Sequence, residues 1–106
     1  MIRLYLIEDH PIIYDGLRQR FRHAEDGIAV SGYADSIPSF VNKIPPDSFD
    51  IIILDLWLPS TNPVENLEKI RIAYPDKPVI IYSQDDSVHW VNQMIKSGAM
   101  AYLSKT

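Results

Sequence analysis

A chain of 106 residues, 46% hydrophobic and 23% charged, has the make-up of one soluble globular domain and is short for two. Its net charge of -4 argues against nucleic acid as a direct partner, since phosphate neutralisation needs clustered Lys and Arg, and the absence of cysteine excludes disulfides, thiolate metal sites and thiol nucleophiles. No apolar run approaches the ~20 residues of a membrane span, and Met1-Ile2-Arg3-Leu4-Tyr5 lacks the layout of a signal peptide, so no membrane partner and a cytoplasmic location are expected.

The first strand is predicted over Ile2 to Ile7, followed at once by Glu8-Asp9-His10-Pro11. Pro11 suits the first turn of a helix, with Asp9 or His10 near the cap, and Ile13, Leu17 and Phe21 then repeat on one face. Gly27 marks the return, and Ile28 to Tyr33 partly alternates, as a half-exposed edge strand does. Ser36 can cap a second helix with Ile37, Phe40, Val41 and Ile44 at helical spacing, which Pro45-Pro46 stops.

Ile51-Ile52-Ile53-Leu54 is an unbroken apolar run, the signature of a strand buried on both faces, and Asp55 ends it. After the loop Leu56 to Asn62, Pro63 opens a third helix with Leu67, Ile70 and Tyr74 inward. Val79 to Tyr82 is a second central strand, ending in Ser83-Gln84-Asp85-Asp86. Val88, Val91 and Ile95 form the stripe of a fourth helix that Gly98 terminates, with Trp90 read as surface and Met94 as core. Ala101-Tyr102-Leu103 is a short last strand before Ser104-Lys105-Thr106.

Five strands alternating with four helices through short connections imply βαβ units, a parallel sheet and right-handed crossovers. In such a sheet the strand tips share one edge, so Glu8, Asp9, Asp55, Ser83 and Lys105 are expected to converge. Three carboxylates within ~4 Å of one another repel by ~1 to 4 kcal/mol per pair. A hard divalent cation such as Mg²⁺ is the usual reason to keep that cost, because it takes oxygen ligands and retains waters that a phosphate can displace. Lys105 supplies a point cation for a phosphate oxygen. The set reads as phosphoryl transfer to a carboxylate, with Asp55 as nucleophile and Ser83 donating to the arriving group.

These residues resemble the receiver domains of bacterial two-component response regulators: the acidic pair Glu8-Asp9, Asp55 in Asp-Leu-Trp-Leu-Pro, Ser83, Tyr102, and Lys105 after Gly98 to Ser104. Glu8-Asp9-His10-Pro11 followed by Gly16-Leu17-Arg18 is similar to the subfamily whose receivers precede a LuxR-type (NarL-type) DNA-binding domain. The resemblance implies an α/β, flavodoxin-like (CheY-like), doubly wound five-stranded parallel sheet of order 2-1-3-4-5, with residues 1–106 as one receiver domain cut short after the fifth strand, without a fifth helix. It implies Mg²⁺ on Asp9, Asp55 and the Trp57 carbonyl, with Glu8 acting through water. A sensor histidine kinase would be the phosphodonor, Ser83 and Tyr102 the switch, and dimerisation the output. DNA would be reached only through a domain absent from this chain, and the only catalysis would be the domain's own phosphorylation and dephosphorylation. Trp57, Gln84 and Asp85 occupy positions where the family tunes the lifetime of the phosphoryl group.

Departures from the family pattern are Glu8 in place of aspartate, Gln84 in place of a small residue, Pro63 in place of glycine, and Thr106 in place of proline. A cis Lys105-Thr106 bond would cost ~2.5 to 4 kcal/mol. The competing reading is a pseudo-receiver that binds partners and is never phosphorylated, which Mg²⁺ binding would separate from the first. A flavodoxin-like cofactor binder lacks its phosphate cradle after the first strand, and an aspartate-nucleophile phosphatase lacks its general acid, since that position is Trp57. His10, His23 and His89 show no metal-ligand grouping and are assigned no chemistry. Without a fifth helix, apolar surface on the first helix is expected to be open and to favour self-association.

Overall fold

The computed structural model describes residues 1–21 and 27–105. His23 and Thr106, and with Thr106 the question of a cis bond after Lys105, lie outside them. Along the described chain run β1 (Ile2–Ile7), α1 (Pro11–Arg20), β2 (Ile28–Ala34), α2 (Ile37–Phe40), a 3-10 turn (Pro46–Ser48), β3 (Ile51–Asp55), α3 (Pro63–Ala73), β4 (Val79–Ser83), α4 (Val88–Lys96) and β5 (Ala101–Ser104).

The strands form one parallel sheet in the order β2-β1-β3-β4-β5, as expected. β3 lies in the middle because Ile52, Ile53 and Leu54 offer apolar side chains to both faces, and all three are buried. The outer strand β2 carries exposed residues, as its alternation required. Beneath the sheet, Tyr5, Phe40, Phe49 and Tyr74 form an aromatic cluster with ring centroids 4.9 to 5.8 Å apart. Fully buried side chains of this size contribute roughly 1.5 to 3 kcal/mol each. These contacts fix β1, α2 and α3 against one another.

Two elements differ from expectation. The second helix stops at Phe40 instead of continuing through Ile44. Ser36 caps it as the sequence indicated, accepting from the Ser39 N–H, but Asn42 adopts a positive φ of 61°. The backbone leaves the helix at Val41, which is extended at ψ 127°, and the Tyr74 hydroxyl holds the segment beyond it by reaching the carbonyls of Phe40 at 3.1 Å and Ile44 at 2.8 Å. The stripe of α4 is also rotated. Val88 is 74% and Ile95 46% exposed, whereas Met94 is fully buried and Trp90 is half-buried against the core.

α1 begins at Pro11 with His10 at its cap, yet none of its residues is buried. Ile13 and Leu17 are half-covered and Ile12 is exposed, so its apolar face is only partly engaged among the described residues. No helix among the described residues is long and apolar enough to cross a membrane.

Candidate functional site

Parallel register brings the strand ends to one edge. Ile7 pairs with Leu54, Asp55 with Tyr82, and Ser83 with Ser104. The next residues along β1 and β5 are Glu8 and Lys105, so both arrive beside Asp55. The Lys105 backbone N–H donates to the Ser83 carbonyl at 2.8 Å, which carries the ladder one residue past β5 and aims the side chain inward.

The Lys105 ammonium donates to Glu8 Oε2 at 2.7 Å and to Asp55 Oδ1 at 3.0 Å. On the other side of Glu8, His10 Nδ1 stands 2.7 Å from Oε1, and the His10 backbone N–H donates to the same oxygen at 3.2 Å. Glu8 is fully buried and Asp55 and Ser83 are nearly so. Asp9 Oδ1 is the exception: it is buried without a hydrogen bond, with only His10 Nδ1 approaching, at 3.2 Å. Glu8, Asp9, His10 and Asp55 each offer one ligand atom, and these atoms lie within 4.8 Å of one another.

Electrostatics separate the two buried carboxylates. Burial pushes Glu8 up, but the hydrogen bonds from Lys105 and His10 outweigh it and hold the group below its ordinary value. Asp55 goes the other way: burial and the neighbouring charge of Glu8 raise it, against the pull of Lys105. Burial works against the Lys105 charge, yet Glu8 and Asp55 together keep its pKa raised. Hydrogen bonding to Glu8, with the charges of Asp9 and Glu8, raises His10.

Above this floor lies a cleft of about 300 Å³ lined by His10, Ile12, Ile13, Asp55, Trp57, Ser83, Gln84 and Lys105. Trp57 leaves β3 on a loop stapled by Thr61, whose hydroxyl donates to the Leu58 carbonyl at 2.7 Å and accepts from Asn66 Nδ2 at 2.8 Å. The Trp57 indole N–H donates to Asp85 Oδ2 at 3.3 Å. Asp85 in turn donates its backbone N–H to Ser83 Oγ at 3.0 Å, and its carbonyl accepts from the Tyr102 hydroxyl. Gln84 is exposed at the rim.

All five residues expected at the strand tips therefore meet, with Tyr102, Trp57, Gln84 and Asp85 around them. His10 is what sequence reading missed. It has no partner at metal-ligand spacing in the helical or strand sense; its signal was adjacency to the acid pair with Pro11 fixing the turn. The donor set fits a hard divalent ion: carboxylate oxygens from two strand ends and one buried oxygen lacking a hydrogen bond.

The family model described as response regulator receiver domain matches residues 4–106. The transcriptional regulatory protein MalR of Bacillus subtilis is 29% identical over 99% of this chain and 44% of its own length. The nitrate/nitrite response regulator protein NarL of Escherichia coli K12 is 31% identical over 96% of this chain and 47% of its own length. The chain thus spans about half the length of these curated relatives. Among solved structures, a LuxR-family two-component response regulator from Aurantimonas sp. SI85-9A1 superposes with a TM-score of 0.83 at 26% identity, over 98% of this chain and 74% of that one.

Proposed function

The chain belongs to the response regulator receiver family, and on that premise we propose that it accepts a phosphoryl group on Asp55 from the phosphohistidine of a sensor kinase, in the cytoplasm. The observation that carries this reading is the meeting of Glu8, Asp9, Asp55, Ser83 and Lys105 at one edge of the sheet, with Asp9 Oδ1 buried and lacking a hydrogen bond.

The Asp55 oxygen that Lys105 does not hold attacks phosphorus; the O–P bond forms as the P–N bond of the phosphohistidine breaks, and the imidazole leaves with the bonding pair. Lys105 favours the charged form of Asp55 against the burial and the Glu8 charge that raise its pKa, then moves its own charge to a phosphoryl oxygen. Ser83 rotates its hydroxyl to donate to another. Asp9, Asp55 and the Trp57 carbonyl are the residues that would hold Mg²⁺, with Glu8 reaching it through water. When bound, the ion neutralises charge on the equatorial oxygens.

Turning Ser83 toward the phosphoryl group disturbs the bond it accepts from Asp85, whose carbonyl holds Tyr102. Tyr102 then moves inward, and the face built by α4 and β5 changes, so that dimerisation shifts. DNA would be reached only through an output domain; MalR, of whose length the match covers 44%, is a transcriptional regulatory protein.

Intrinsic Trp fluorescence tests the reading, because Trp57 lines the cleft. A saturable response to Mg²⁺, followed by a beryllofluoride response that Asp55→Asn removes, is the expected result. No response to either would leave an unphosphorylated interaction module as the better account.

A further inference from the structure

Beyond the half-buried Trp90, the amino-terminal turn of α4 has little packing of its own to hold it. Met94 is the one buried residue of that helix, and Val88 is 74% exposed. The turn is tied instead to the floor of the cleft. Ser87 caps it, accepting from the Trp90 N–H at 3.5 Å, and its own backbone N–H donates to Asp85 Oδ1 at 3.1 Å. Trp90 packs edge-on against Trp57, with ring centroids 5.1 Å apart and planes at 83°. Trp57 also holds the second oxygen of Asp85 through its indole N–H. Two side chains, Asp85 and Trp57, thus join the loop after β3 to the start of α4, and both are within one or two residues of the atoms that shape the cleft.

We propose that Trp90 is a positioning residue for the phosphoacceptor site: by its contact with Trp57 it sets where that indole and its loop lie over Asp55, and so couples the state of the cleft to the first turn of α4. The path does not pass through Tyr102, which reaches Asp85 by its carbonyl from β5. Coupling between two sites is reciprocal, so a ligand in the cleft that moves the Trp57 loop shifts α4, and a change at Trp90 alters affinity in the cleft. A segment with one buried anchor opens at low cost, which makes this end of α4 the element that can respond. An edge-to-face aromatic pair is worth enough to change an equilibrium by about twofold to tenfold. The inference rests on the phosphoacceptor reading above.

The test uses Mg²⁺ with beryllofluoride as the probe and two readouts: fluorescence for affinity, and amide hydrogen exchange over residues 88–94. With two tryptophans in the chain, the signal in Trp90→Leu comes from Trp57 alone. Trp90→Leu is expected to weaken beryllofluoride binding about twofold to tenfold and to reduce the exchange response of the first turn of α4, while Tyr102→Phe, which keeps the ring, retains that response. Trp90→Phe, which retains an aromatic edge, is expected to restore both, and it carries the test if the leucine variant does not fold. Wild-type affinity together with a wild-type exchange response in a folded Trp90→Leu chain overturns the inference alone. No beryllofluoride response in the wild type overturns it together with the reading on which it rests.

Discussion

Lys105 and Glu8, 97 positions apart, meet at 2.7 Å, with the ammonium 9% and the carboxylate 0% exposed. The contact closes β5 onto β1 across the strands between them. A buried charge that loses its partner is left uncompensated, at roughly 3 to 5 kcal/mol. Lys105→Met is therefore expected to lower stability by an amount of that order in the metal-free protein. Because a cation bound only by the folded state stabilises it by mass action, Mg²⁺ should raise the melting temperature of this variant more than that of the wild type. Thermal melts with and without Mg²⁺ check this, and equal shifts in the two proteins would remove the acid cluster as the binding site.

Trp57 is 47% exposed and lines the same cleft as Asp55. On the proposed function, an indole at that position would shield an acyl phosphate on Asp55 from water. Trp57→Ala is expected to lose the phosphoryl group up to about tenfold faster, equivalent to ~1.4 kcal/mol in the barrier. The decay of protein phosphorylated by a small-molecule donor measures this. A variant that dephosphorylates no faster would falsify the shielding role.

Asp50 gives an acid-stability prediction away from the cleft. Its carboxyl receives Arg3 at Nε and Nη2, each at 3.2 Å, and the Arg3 backbone N–H at 2.7 Å, linking the start of β1 to the start of β3. The side-chain and then the backbone bond from Arg3 hold it below the ordinary value of 3.8. A depressed folded-state pKa contributes stability that is present above the unfolded value and lost as pH falls through the folded one. The stability difference between wild type and Asp50→Asn should thus be constant near neutrality and shrink below about pH 4. Urea titrations across that range test it; a gap that widens in acid would reverse the sign.

Gly98 ends α4 at φ +107°, a backbone region that L side chains rarely adopt. A Cβ there would also stand 2.2 Å from Arg71 Nη1, the group that donates to the Ser97 carbonyl at 3.1 Å. Gly98→Ala is expected to cost about 1 to 3 kcal/mol through backbone strain, with the lost Arg71 bond added to it. Chemical denaturation measures the loss. If the backbone explanation is right, Arg71→Ala alone should cost clearly less.

The fold was legible from local pattern because a residue's preference for a two-sided strand or a helix face is written in its neighbours. The unbroken run Ile51 to Leu54 and the Pro11 and Pro63 helix starts all fall where expected. The second helix was not legible to its end, since the segment beyond it is held by the hydroxyl of Tyr74, 30 and 34 positions away in sequence. The face of α4 was misread for a related reason: Val88, Val91 and Ile95 have the right spacing, but Trp90 packs against the core and against Trp57, contacts that periodicity cannot reveal.

By itself the sequence determined the element types, the parallel sheet and the residues at the strand tips, because hydrophobic period and chain length leave few topologies open. Which tip residue bonds which was decided only in three dimensions. The single ammonium of Lys105 is shared between Glu8 and Asp55, and His10 takes the remaining oxygen of Glu8. Asp9 Oδ1 is left without a hydrogen bond. Such sharing depends on distances of a few tenths of an ångström in a medium of low dielectric, and no spacing along the chain encodes it.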